Sequence, residues 1–239
     1  MHREEYARKR SWEISHHIKM WDIAYCAFNN KDFNAFEKLF EILRKEWQIF
    51  RPKKEIPGAI EVFRMLNGID EKIANTKLSN LKISQLPGLM ETLKTTAEIK
   101  RTKDSISIMA VSKFLHFRNP SLFIIKDKAV IENFVLEHAW IRDGINEINK
   151  ELVVMCEKGN GIDAKIKNQF EQYIAFLLWG AKLINDNPVI VEEFINVIRR
   201  EYRNESDLKI KLEDIESYDA AAVEWFLLGV THLPPVSVL

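Results

Sequence analysis

Apolar residues recur at spacings of three and four along nearly the whole chain, the period at which side chains return to one face of an α-helix. Phe36, Phe40, Leu43, Trp47 and Phe50 are the clearest case, because steps of four, three, four and three put them all in one stripe. Chain-breaking residues fall between such stretches. The 239 residues include 8 glycines and 7 prolines, and most stand where one helix must stop and another start. Nowhere do strands alternate with helices as a parallel sheet requires, and no internal repeat suggests a solenoid. The expected fold is therefore all-α: a multi-helix orthogonal bundle, either one domain over 1–239 or two closely packed helical lobes over 1–78 and 79–239.

The same pattern sets the expected boundaries. A first helix runs over about 4–28 and ends at Asn29-Asn30. Asn34 with Glu37 has the spacing of a capping box for a second helix, which Arg51-Pro52 stops. Pro57-Gly58 opens a short helix that Asn67-Gly68 closes, Asp70 begins another, and Leu86-Pro87-Gly88 fits a first helical turn. Asp104 or Ser105 caps a helix carrying Ile106, Met109, Ala110, Phe114 and Phe117, which Asn119-Pro120 breaks. Phe123-Ile124-Ile125 reads as a brief extended piece. Helices over 127–142, 145–156, 163–185 and 188–202 follow, separated by Asp143-Gly144, Gly159-Asn160-Gly161 and Asp186-Asn187-Pro188. Leu208 to Leu212 alternates as a lone strand or an extended linker would, and the last helix spans 219–230.

A hydrophobic share of 46% and a charged share of 29% are those of a chain that folds around a core, which excludes a disordered protein. Lys and Arg total 35, as do Asp and Glu, so a uniformly basic nucleic-acid binder is excluded too. The balance hides two opposed windows. Residues 100–128 carry seven basic side chains (Lys100, Arg101, Lys103, Lys113, Arg118, Lys126, Lys128) against Asp104 and Asp127, and residues 204–225 carry seven acidic ones against Lys209 and Lys211. A local positive surface is thus compatible with a neutral whole, since screening confines opposing fields to about 8–10 Å. A solvated helix face balanced by an acidic one accounts for the same charges. Cys26 and Cys156 are isolated in sequence, which suggests a reducing, cytoplasmic setting. No apolar run resembles a signal peptide or a membrane span, and no spacing of His, Cys or carboxylates calls for a metal or another cofactor.

The densest chemistry lies in 110–127: Ser112-Lys113, Leu115-His116, Asn119-Pro120, Phe123, Ile125 and Asp127. A helix bearing a lysine, a proline-broken turn, an apolar extended piece and an aspartate at the mouth of the next helix can bring Lys113 and Asp127 together. This pattern resembles bacterial proteins distantly related to the helix-hairpin-helix DNA glycosylases, the 8-oxoguanine-glycosylase-like group. The resemblance covers under a tenth of the chain. It implies a helical DNA-repair-like scaffold that holds an extruded nucleotide. Lys113 would then be the amine nucleophile forming a Schiff base, favoured in its neutral form by burial among Phe114, Phe117 and Phe123, and Asp127 would stabilise positive charge developing on the sugar. His116 and Arg118 would touch a phosphate or the flipped base, and Lys100, Arg101, Lys103, Lys126 and Lys128 would face the DNA. The same residues also fit a lysine snorkelling from an amphipathic helix, a hydrogen-bonded histidine and a helix-capping aspartate.

Other candidates point inward. Six tryptophans, Trp12, Trp21, Trp47, Trp140, Trp179 and Trp225, offer stacking platforms in principle, but each falls in an apolar helical stripe and reads as core. His16 and His17 point to different faces and cannot chelate one metal, and His138 and His232 have no local partner set. Two functions are consistent with these features. One is a DNA-binding protein similar to helix-hairpin-helix glycosylases, active or degenerate; the other is a non-enzymatic helical module that meets a protein partner or a second copy of itself.

Overall fold

The computed structural model describes residues 3–47, 49, 57–102, 105–126, 139–156 and 164–227. Among them are α1 (Arg3–Asn29), α2 (Phe33–Lys45), α3 (Ala59–Asn67), α4 (Glu71–Ala74), α5 (Leu86–Ala97), α6 (Ile108–Arg118), α7 (Ala139–Cys156), α8 (Ala164–Asp186), α9 (Val189–Tyr202), α10 (Leu212–Glu216) and α11 (Asp219–Leu227). Short 3-10 turns occupy Leu78–Asn80, Ile83–Gln85 and Glu98–Lys100. The architecture is an all-α multi-helix bundle. Its one β feature among the described residues is a two-residue antiparallel ladder, β1 (Arg101–Thr102) with β2 (Ser105–Ile106), in which Arg101 faces Ile106 and Thr102 faces Ser105. α8 and α9 meet at 89° across the break at Asn187-Pro188, and no single described helix is long and apolar enough to cross a membrane.

The peripheral helices follow their stripes. α2 buries Phe36, Leu39, Phe40 and Leu43 against α1. Its cap is Asp32 rather than Asn34: Asp32 Oδ1 accepts from the Asn34 and Ala35 amides at 2.9 and 3.2 Å, and the helix begins one residue before the expected cap. It ends at Lys45, so Trp47 lies in the following turn, and Phe50 lies outside the described residues. α3 and α5 open where proline and glycine placed them, with Glu61 Oε2 accepting from the Gly58 amide at 3.1 Å.

Three further boundaries differ from expectation for identifiable reasons. The cap of α6 is Ser107, because Ser105 and Ile106 are spent on the ladder with β1; Asp104 lies outside the described residues. α7 runs unbroken through Asp143-Gly144, where a Cβ on Gly144 would lie 3.1 Å from Trp179 Cδ1, so this glycine permits close helix packing and makes no turn. Residues 208–211 form no strand; Asp22 Oδ1 accepts from the Lys209 and Ile210 amides and supplies the partner that a second strand would have given. The described part of the last helix ends at Leu227, and residues 127–138 and 228–230 of the expected helices lie outside the described residues.

Two helices lie at the centre. Every residue of α11 is buried, and so are Ile108 and the run from Ala110 to Phe117 in α6. A helix covered on all sides is ordinarily apolar throughout. Yet α6 brings Ser112, Lys113 and His116 inside, and α11 brings Asp219 and Glu224. That polar content is where the chemistry of the molecule concentrates.

Candidate functional site

After α6 the chain turns at Asn119-Pro120 and runs back along the helix as far as Lys126 without forming a strand. Its backbone groups are satisfied by side chains and neighbouring loops. Ser112 Oγ accepts from the Lys126 amide at 3.0 Å, and the Phe123 and Ile124 carbonyls accept from His116 Nδ1 and the Tyr173 hydroxyl, each at 2.8 Å. The Ser121 carbonyl accepts from the Leu78 amide and the Pro120 carbonyl from the Ala221 amide. Asn119 fixes the turn: Nδ2 donates to the Ile73 and Thr76 carbonyls at 3.1 and 3.0 Å, and Oδ1 accepts from the Ser121 amide at 3.1 Å. Gly180 on α8 leaves room for the returning segment, since a Cβ there would come within 2.5 Å of Ile124 Cδ1.

His116 has a single consistent protonation state. The Trp21 indole nitrogen can only donate, and it lies 3.1 Å from His116 Nε2, so Nε2 must be the bare acceptor. The ring proton is then on Nδ1, where the Phe123 carbonyl takes it. Burial, with no exposed surface at all, drives the imidazole pKa down to about 3; the bond to Phe123 opposes the shift and nearby His17 adds to it. The Glu224 carboxylate stands 3.6 Å from Nδ1, but a neutral imidazole makes no ion pair with it. Burial, reinforced by Glu224, also holds the Tyr173 phenol well above its ordinary pKa, so it stays a donor.

The residues singled out in the sequence are distributed unevenly. Lys113 is 8% exposed, with Nζ 5.0 Å from the centre of the Trp47 ring. Trp47 continues into an aromatic group, 5.5 Å from Phe117 and 5.2 Å from His17, which in turn lies 5.0 Å from Trp225. His116, expected at a phosphate or a base, instead spends both nitrogens inside the core. Arg118 is half-buried on another side of α6: Nε donates to the Leu66 carbonyl at 3.2 Å, and the guanidinium lies 5.2 Å from the centre of the Phe28 ring. Burial lowers its pKa, and lowers that of half-buried Lys126 as well. Lys100 closes a 3-10 turn and Arg101 lies in β1. Asp127, Lys103 and Lys128 lie outside the described residues.

Trp21, Tyr173, Glu224 and the double role of Asn119 were not anticipated. Glu224 had a signal, being the only charge in the apolar run from Ala220 to Leu227. Trp21 and Tyr173 had none, because their partners lie 95 and 49 residues away. Trp140, expected in the core, is 52% exposed beside Trp179. Among the described residues no three His, Cys or carboxylate side chains are grouped as a metal site would need. Compared with known proteins, the chain matches no family model, no curated protein and no solved structure.

Proposed function

We propose that this chain is a DNA-binding protein resembling the helix-hairpin-helix base-excision glycosylases, with Lys113 at the centre of its site. The observation that carries the reading is the setting of Lys113. Its amine packs against the face of Trp47, one residue after the serine that anchors the returning segment at Lys126. An aromatic face beside an amine provides what a flipped nucleotide requires: a surface to stack on and a nucleophile for its sugar. In the reaction Nζ attacks C1′, the base departs with the electrons of the glycosidic bond, the nitrogen loses a proton and the sugar ring opens to an iminium. Asp127 stabilises the positive charge that develops on the sugar. Lys100, Arg101, Lys103 and Lys128 contact phosphates, and His116 positions the return that leads to Asp127.

Borohydride trapping of the full chain on duplexes carrying an abasic site or an oxidised purine tests the catalytic step. A covalent adduct is expected, and Lys113→Ala, checked for folding by circular dichroism, removes it. No adduct across the panel eliminates catalysis and leaves a degenerate binder. That binder requires an affinity that falls with salt, by about 0.9 log units per log unit of salt for each phosphate contact, and a shallower slope in Lys100→Ala and Arg101→Ala. Salt-insensitive or absent binding removes the DNA reading. The other reading, a non-enzymatic interaction module, draws on exposed Trp140, and light scattering that finds a monomer argues against self-association.

A further inference from the structure

At the C-terminal end of α6, a cavity of about 50 Å3 opens between α1, that end and the residues before α11. Trp21, Phe28 and Phe117 are apolar residues of its lining, and Tyr25, Asn29, Arg118 and Tyr218 are the lining residues with polar side chains. At roughly 10–15 Å3 per water-sized sphere, the space takes a carboxylate and the first atoms of the body that bears it. Part of this polar capacity is uncommitted. Arg118 spends Nε on the Leu66 carbonyl and has no ion-pair partner among the described residues, and neither tyrosine hydroxyl has a hydrogen-bond partner among them. A half-buried guanidinium with no carboxylate beside it is costly to maintain, and an anion in the cavity offsets that cost. The terminal nitrogens form a planar fork that matches a carboxylate, and a phenol is a further donor.

We propose that this cavity binds a small planar organic carboxylate, its acid group on Arg118 and the tyrosine hydroxyls and its apolar body against Trp21, Phe28 and Phe117. A carboxylate is favoured over a phosphate for two reasons. The walls are mostly aromatic, so a strongly hydrated dianion would lose more water here than one cation and two phenols replace. Asp214 also lies close enough to act on Tyr218, and its charge opposes a second negative charge more than a first. The proposal is independent of the DNA reading, because it uses neither Lys113 nor Asp127.

Benzoate is the probe, titrated into the full chain while the Trp21 indole N–H resonance, assigned with Trp21→Phe, is followed by NMR. Saturable binding with Kd on the order of millimolar is expected for a ligand of this size. Arg118→Met should weaken it about tenfold or more, the loss typical of a charged hydrogen-bonded contact, and the double variant Tyr25→Phe/Tyr218→Phe should weaken it about threefold. If Arg118→Met does not fold, the tyrosine pair, which keeps every wall of the cavity, carries the test alone. Three results overturn the proposal: no saturation at concentrations on the order of 50 mM, affinity unchanged in the variants, or tighter binding of inorganic phosphate or phenyl phosphate than of benzoate.

Discussion

α2 and α6 are both short helices with phenylalanines at helical spacing, yet they are held by opposite means. α2 has one buried face and one wet face; its first turn is closed by its neighbour Asp32 and its outer face carries the Glu41–Arg44 pair. α6 is buried nearly all round, and its polar side chains find partners on α1, at the end of α3 or on the segment that returns along it. Local interactions that water can replace are individually worth little, whereas a polar group buried without its partner costs the whole of its desolvation. The two helices should therefore respond very differently to comparable changes.

The largest contrast is expected at Asn119. Asn119→Ala removes the acceptor of the buried Ser121 amide and a donor to the Thr76 carbonyl, while the Ile73 carbonyl keeps its bonds to the Asn75 and Thr76 amides. Two buried backbone groups lose a partner, for an expected cost of about 3 kcal/mol in urea unfolding. Amide exchange should rise across the whole chain, since the turn joins α4, α6 and the loop before α11. A cost near that of a surface change would mean that water reaches the turn, and the contrast with α2 would fail.

Next in size is a pH effect. The His116 pKa lies near 3 in the fold and near its ordinary 6.5 in the unfolded chain. Between those values the unfolded state binds the extra proton, so stability is complete above about pH 6.5 and falls as the pH is lowered. The slope is at most about 1.4 kcal/mol per pH unit. Protonation would also put a hydrogen on Nε2, facing the Trp21 N–H. His116→Gln keeps a donor and an acceptor but does not titrate, so its urea midpoint should be lower at pH 7 and flatter between pH 6.5 and 5. His17 and Glu224, which face His116, are present in both proteins. Equal slopes in the two proteins would assign the acid sensitivity elsewhere.

The same division explains what could be read from the sequence. Stripes such as the one begun by Phe36, Phe40 and Leu43, and stops such as Asn67-Gly68 and Asn119-Pro120, are local signals, and the helices they define are present in the fold. Gly144 was misread because a glycine that ends a helix and one that admits Trp179 look alike until the neighbour is known. Around α6 the sequence singled out a segment whose polar side chains are buried, but the seven basic residues of 100–128 do not read as one surface: Lys113 lies against Trp47 and Arg118 against Phe28, on different sides of the helix. Charge counted along a chain ignores which way each side chain turns, and on a buried helix that direction decides whether a cation faces solvent or an aromatic ring. The partners of His116 could not be found in the same way, because Trp21 and Phe123 come together only when α1 and the return close on α6.

The smallest expected effect belongs to α2 and distinguishes its two candidate caps. Asp32→Ala removes the acceptor of two amides at an exposed helix start, where water replaces the carboxylate, so the cost is about 1 kcal/mol. Asn34→Ala leaves both bonds in place and should change stability by less than about 0.5 kcal/mol. Because the apolar face of α2 is untouched, faster amide exchange in Asp32→Ala should be confined to the first turn, near Asn34 and Ala35, while the exchange of α6 stays as it was. If loss of this cap instead loosened α6, the packing of Phe40 on Phe114, 5.9 Å apart, would be transmitting the change inward, and the edge and centre of the bundle would unfold as one unit.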